Sequence, residues 1–230
     1  MSARIPLFQQ WYPEETISRI SRDIEEVLRS GRLVFGENVR ALESEFSELM
    51  GGGCAVSVNS CTTALEICLR FFGCEEKEAI VPSAGFVSDA TSVWMAGGEP
   101  VFCDADPDTF HPTVDTIQAV MTEKTRGVIF VHLLGMISPE IVRIRDFCRE
   151  NQLILIEDCA HACGAELNGT KAGCFSDASC FSFYATKILS CGSGGFICTE
   201  NQELDAYARR MRMFGKAEDG RVRHVGNDWY

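Results

Sequence analysis

Ile17, Ile20, Ile24, Val27 and Leu28 recur at helical spacing after Pro13, with Glu14 and Glu15 in the opening turn and Gly31 at the close. That pattern predicts one amphipathic helix. A second is expected after Gly36, with Val39, Leu42, Phe46 and Leu49 on one face and the Gly51-Gly52-Gly53 run stopping it. The period then changes to short continuous apolar runs at 54–58 (CAVSV), 79–82 (AIVP), 100–103 (PVFC), 127–131 (GVIFV) and 153–156 (LILI). Most are separated by segments that read as helices, such as 62–72, 86–96 and 139–150. Unbroken apolar strands alternating with helices predict a mainly parallel sheet covered on both faces, an α/β three-layer sandwich. Two further runs, 178–183 (ASCFSF) and 195–199 (GFICT), have no long helix between them. An antiparallel pair is therefore expected in the last part of the sheet.

Composition narrows the function classes. The chain has 230 residues, 46% hydrophobic and 23% charged, as a folded globular protein does. Lys plus Arg total 21 against 33 for Asp plus Glu, a net charge of −12. Such an acidic surface repels phosphate backbones and anionic lipid, so neither nucleic acid nor membrane is an expected partner. No stretch approaches the roughly 18 apolar residues of a membrane helix, and the start (MSARIPLFQQWYPEE) has no leader-like apolar run, so the cytoplasm is the expected location. The twelve cysteines contain no C-x-x-C, and the Cys159/Cys163 and Cys174/Cys180 spacings do not match a zinc ribbon or finger. They are expected to be mostly small buried hydrophobes, with no metal.

In an α/β sheet, functional groups gather beyond the carboxyl ends of strands. After CAVSV come Asn59-Ser60-Cys61-Thr62-Thr63 and a helix, a turn whose N–H groups and hydroxyls suit a phosphate. An ordinary N-cap has the same pattern. After LILI come Glu157 and Asp158, then Cys159-Ala160-His161, which gives two acids and a histidine to one strand end. After ASCFSF comes Tyr184-Ala185-Thr186-Lys187 and a Gly-rich bend, where a lysine can be a desolvated amine or an ordinary solvent-facing one. Phe86 follows AIVP at the start of a helix, as a flat ring face or a core residue. A phosphate cradle, a flat aromatic, an acid and a lysine are together the parts of a pyridoxal phosphate (PLP) site. Elsewhere, Trp94 and Met95 are expected in the core, and Cys61 and Cys68 in packing. His132 can face the site from the end of GVIFV, and Arg209, Arg210 and Arg212 are expected on a solvated face.

With those residues in view, the chain resembles the fold-type I PLP-dependent aminotransferases of the DegT/DnrJ/EryC1/StrS group, the sugar aminotransferases. The resemblance runs from Ile5-Pro6-Leu7 and Leu33-Val34-Phe35-Gly36 through SCTTAL, IVPSAGFVSDA, PVFCDAD, VHLLG, IEDCAHACGAELNG, GCFSDASCFSFYATKIL and SGGFICT to VGNDWY, in the family's order. It implies that Lys187 holds PLP covalently and then acts as acid and base, and that Asp158 pairs with the pyridinium nitrogen. His161 would sit near the ring's phenolic oxygen and Phe86 would stack on the ring. Ser60, Cys61 and Thr62 would hold the phosphate with Ser182. Asn227 would reach the phosphate of the neighbouring subunit, in a homodimer with sites at its two-fold interface.

The reaction that the resemblance implies moves an amino group from Glu or Gln to a keto sugar, nucleotide-linked as in the family's biosynthesis of polysaccharide or antibiotic sugars. The presence of Lys187 speaks against the related dehydratases, which carry His there. Departures from the family pattern are Cys61 for a common Gly, Tyr184 for a common His and Ser193 in place of Glu in a Gly-Glu-Gly-Gly run. Family members continue well past the length of this chain, so the expected layout is an N-terminal helical segment at 1–35, a PLP-binding large domain at 36–215, and at 216–230 the start of a connection to an absent small C-terminal domain. The alternative is a truncated, non-catalytic PLP-binding or partner-binding paralogue or fragment.

Overall fold

Seven strands form one sheet in a computed structural model that describes residues 9–216, 220–224 and 226. In chain order the elements begin with α1 (Glu14–Ser30), α2 (Glu37–Leu49), β1 (Cys54–Val58), α3 (Cys61–Phe71), β2 (Glu78–Pro82), α4 (Val87–Met95) and β3 (Glu99–Cys103). Next come α5 (Val114–Gln118), β4 (Thr125–Val131), α6 (Glu140–Glu150), β5 (Ile154–Asp158) and a hairpin of β6 (Glu166–Leu167) and β7 (Thr170–Lys171). The last elements are β8 (Ala178–Ser182), β9 (Gly195–Thr199) and α7 (Gln202–Met211). The sheet order is β1-β9-β8-β5-β4-β2-β3. Pairing is parallel from β3 to β8, and β9 is antiparallel to both β8 and β1.

The expected antiparallel pair is present, but it lies inside the sheet. The segment between β8 and β9 carries no helix to make a crossover, so the chain returns beside β8, and β1 closes the edge. Every residue of β5 and β9 is buried, which is why their sequences read as unbroken apolar runs ended by polar residues. One face of the sheet packs Val56, Ile129 and Ile197 with Leu65, Ile67 and Val93 of α3 and α4. The other face packs Phe130 and Leu155 with Ile141 and Ile144 of α6. A third cluster seats Phe46 of α2 on Phe196, with ring centroids 4.5 Å apart, and edge-on to Phe181 at 5.1 Å.

Three expectations are corrected. Trp94 and Met95 are exposed, at 58% and 48%, because the short α4 turns Ala90 and Val93 inward and puts these two on its other side. Arg209 and Arg212 do not form a solvated face. Both bond Glu43 of α2, and Arg212 is only 5% exposed. His132 faces the core, where it meets Glu157. The amphipathic α1 exists as expected but buries none of its residues within the described structure. Among the described residues, no helix is long and apolar enough to cross a membrane.

Candidate active site

The carboxyl ends of β1, β2, β5 and β8 open on one edge of the sheet. At β1, Ser60 is extended and caps α3: its Oγ accepts the N–H of Thr63 at 3.1 Å, and its carbonyl accepts that of Ala64 at 3.1 Å. The N–H groups of Cys61 and Thr62 precede the first intrahelical bond and remain as donors at the positive end of the helix. Thr63 Oγ1 donates to Asn59 Oδ1 at 2.7 Å, and Ser193 Oγ donates to the Asn59 carbonyl at 3.0 Å, which fixes the turn from both sides.

Gly195 lets β9 approach that turn. A Cβ there would fall 2.5 Å from Ser60 C and 2.6 Å from Cys61 N, both backbone atoms that cannot swing aside. Gly195→Ala is therefore expected to destabilise the chain by about 1–3 kcal/mol, as overpacking does, read as a lower urea midpoint. An unchanged midpoint would show that the turn is softer than these contacts imply.

The strand β5 runs on to Asp158, so Glu157 and Asp158 lie within it and point to opposite faces. Glu157 Oε2 is 2.7 Å from His132 Nε2 and accepts the N–H of Gly173 at 2.8 Å. Its Oε1 accepts Phe175 N–H at 2.8 Å and Ser176 Oγ–H at 2.7 Å. Cys159 Sγ lies near this pair, and the three ligand-type atoms fall within 4.8 Å of one another. The carboxylate's lone pairs are already taken by protein donors, so the cluster reads as a buried structural brace.

Asp158 faces the open edge. It is 3% exposed, and its Oδ1 accepts the N–H of Ala160 at 2.7 Å and lies 3.8 Å from the Cys61 thiol. Burial, then the nearby Asp158 charge, pushes the Cys61 thiol well above its ordinary range, so it stays protonated and able to donate. His161 is half-buried, and its Nδ1 accepts the N–H of Leu134 at 3.3 Å. Burial and the Lys187 ammonium lower its pKa, which leaves a neutral ring with its proton on Nε2.

Lys187 is half-buried in the segment after β8, where its N–H bonds the Tyr184 carbonyl at 2.9 Å. Gln10 Nε2 ties this segment down by donating to the carbonyls of Ala185 at 3.2 Å and Lys187 at 3.1 Å. The Lys187 ammonium acts electrostatically on Cys61, Asp89 and His161, and Asp158 acts on the same three. Ser182 ends β8, accepts Tyr184 N–H on its Oγ at 3.3 Å and pairs in register with Gly195. Phe86 precedes α4 with its ring 68% exposed, and its N–H is held by Asp89 Oδ2 at 3.0 Å.

The structure thus gathers Ser60, Cys61, Thr62, Phe86, Asp158, His161, Ser182 and Lys187 at one edge of the sheet. Asn227 lies outside the described residues. Two contributors were missed. Asp89 looks in sequence like an ordinary acid three residues into a helix, and Gln10 carries no local pattern at all.

A family model described as the DegT/DnrJ/EryC1/StrS aminotransferase family matches residues 14–228. The chain belongs to this family. Among its relatives, a dTDP-4-dehydro-2,3,6-trideoxy-D-glucose 4-aminotransferase of Saccharopolyspora spinosa is 38% identical over 84% of this chain and 50% of its own length. The aminotransferase TlmJ from Streptoalloteichus hindustanus superposes with a TM-score of 0.88 at 33% identity, over 97% of this chain and 61% of that one. NtdA from Bacillus subtilis, solved with bound cofactor PMP, superposes with a TM-score of 0.86 at 25% identity, over 99% of this chain and 54% of that one. This family member therefore spans a little over half the length of the relatives it matches, and its mainly parallel sheet is that of their fold-type I domain.

Proposed function

We propose that this chain carries the cofactor half of a PLP-dependent aminotransferase, one that takes an amino group from Glu or Gln and gives it to a nucleotide-linked keto sugar. The observation that carries the reading is the buried Asp158 at the end of β5, 3.8 Å from the Cys61 thiol at the open N-terminus of α3, on the edge where the half-buried Lys187 follows β8. The substrate class is supported by the dTDP-sugar relative.

The residues fit the cofactor. A buried carboxylate at a strand end, a half-buried amine and a turn against which Gly195 leaves no room for a side chain are what an aromatic cation with a phosphate tail requires. When bound, PLP supplies an electron-accepting ring through which an amino group can leave one carbon and join another.

The chain's own groups do the rest. The N–H groups of Cys61 and Thr62, with the hydroxyls of Thr62 and Ser182, would hold the phosphate in the turn that Ser60 caps. Phe86 offers its ring to the cofactor's face. Asp158 keeps a proton on the ring nitrogen by pairing with it, and the Nε2–H of His161 donates toward the ring oxygen. Lys187 would anchor the cofactor through its amine and, with that amine free, would carry a proton at Nζ as acid and base. Asn227 is assigned to the phosphate of a second copy in a cytoplasmic homodimer. The exposed apolar side chains of Val87 and Ile188, which adjoin Phe86 and Lys187 in the chain, support such a partner.

The test is an absorption spectrum of the purified chain with PLP, before and after borohydride, followed by glutamate or glutamine. A visible band that borohydride fixes on Lys187, and that shifts to the amine form with donor, is the expected result. A folded chain that never becomes labelled at Lys187 would overturn the assignment.

A further inference from the structure

The reaction outlined above gives no part to Asp89, yet Asp89 shares a side-chain hydrogen bond with Asp158. It enters the site from α4 with only 2% of its surface exposed. Its Oδ2 accepts the N–H of Phe86 at 3.0 Å, and its Oδ1 is buried without a donor among the described residues. The group within hydrogen-bond distance of its carboxyl is the carboxyl of Asp158, itself 3% exposed. Two ionised carboxylates are both acceptors and repel, so a bond between them requires that one carry a proton.

The surroundings decide which one. Asp158 has two donors at Oδ1, the Ala160 N–H at 2.7 Å and the Cys61 thiol at 3.8 Å, and donors favour the ionised form. Asp89 has the single N–H of Phe86. The charged and titratable groups facing the pair are Cys61 from α3, His161 from beyond β5 and the Lys187 ammonium from beyond β8. Of these only Lys187 opposes protonation of Asp89, and it is outweighed by burial and by the Asp158 charge.

We propose that Asp89 is a positioning residue that carries a proton at neutral pH and donates it to Asp158, so that the two carboxyls hold a single negative charge and Asp158 is kept aimed at the site. Burial, with the charge and hydrogen bond of Asp158, pushes the Asp89 carboxyl up to about 9. The inference rests on the PLP reading only for what Asp158 faces. A neutral donor on Asp158 draws off part of its charge and makes it a weaker base, so Asp89 sets how firmly a proton is held on the group Asp158 pairs with.

The experiment is a carbon-13 NMR titration of the full chain without cofactor, labelled at aspartate carboxyls, in the parent and in Asp89→Asn. The expected parent result is an Asp89 carboxyl that stays in the protonated range past neutral pH while Asp158 is ionised. In Asp89→Asn the high-pH step should vanish. Ionised carboxyls at both positions at neutral pH, a proton resident on Asp158 instead, or a high step surviving in Asp89→Asn would each overturn the proposal. If Asp89→Asn fails to fold, the parent titration still decides. A purely structural, ionised Asp89 would show no high-pH step in the parent. Since no cofactor is present, failure here is distinct from failure of the PLP reading, which shows as absent labelling of Lys187.

Discussion

Lys187→Ala is expected to eliminate borohydride labelling completely and to lower single-turnover amino transfer from glutamate by about 10²–10⁴-fold or more, the range lost with a positioned acid–base group. The other lysines of the chain are Lys77, Lys124, Lys171 and Lys216. Lys171 is engaged with the Leu49 carbonyl, and Lys216 lies over the Phe214 ring. Neither is a substitute amine at the mouth of β8. The turn at Ser60, Cys61 and Thr62 proposed for the phosphate is built from α3 and β9 without help from Lys187, so PLP is expected to bind reversibly and be removed by dialysis. The variant thus separates two losses: covalent anchoring disappears while phosphate recognition persists. Transamination at the parent rate in purified Lys187→Ala would sink the role given to this lysine.

The position of the candidate residues was legible where the fold itself puts polar groups at strand ends. Ser60, Cys61 and Thr62 follow β1, Phe86 follows β2, and Lys187 follows β8, so reading the residues after each apolar run found them. Asp158 was found although β5 runs through it, because a charged residue at the end of LILI is conspicuous wherever the strand stops. Asp89 was missed because what distinguishes it is the tertiary meeting with Asp158, 69 positions away by 158 − 89. Its local role as the acceptor for the N–H of Phe86 gives a sufficient reason for an acid there.

The fold shows the same division between local and tertiary causes. The inner strands β5 and β9 are buried on both faces, so composition alone marks them, whereas the place of β9 between β8 and β1 depends on which edge the returning chain meets. The β6–β7 hairpin was readable and passed over. Asn168-Gly169 sits between its two short strands with φ of 52° and 81°, the left-handed pair that an Asn-Gly hairpin turn uses. Trp94 and Met95 were assigned to the core on hydrophobicity, and an apolar side chain does not reveal which side of a nine-residue helix the sheet lies on.

Glu43→Ala is expected to destabilise the fold by about 3–5 kcal/mol, since it removes one partner of a buried ion pair and strands the other. Glu43 joins α2, β1 and α7. Its Oε1 accepts from Ser57 N–H at 3.0 Å, Ser57 Oγ at 2.8 Å and Arg212 Nη1 at 2.5 Å, and its Oε2 accepts from Arg209 Nη1 at 2.7 Å. Arg209 keeps Asp205 at 3.0 Å when Glu43 is lost. Arg212 keeps the Ser57 carbonyl at 2.8 Å and the Phe35 ring at 4.8 Å but no carboxylate, and it is too buried for water to replace one.

The pH dependence of that loss has a definite sign. Burial raises the Glu43 carboxyl, but the bonds from Arg209, Arg212 and Ser57 together outweigh it, so the folded value lies below the ordinary one. A lowered carboxyl contributes stability that is present above the unfolded carboxylate range and is lost as pH falls through the folded value. Urea unfolding at neutral pH and at about pH 4 should therefore show the gap between the parent and Glu43→Ala narrowing toward acid. Glu43→Gln, which retains an acceptor oxygen without the charge, should fall between the two at neutral pH. A gap that is constant across this range would mean that Glu43 acts through packing alone, and that the two arginines hold α7 to the sheet without its charge.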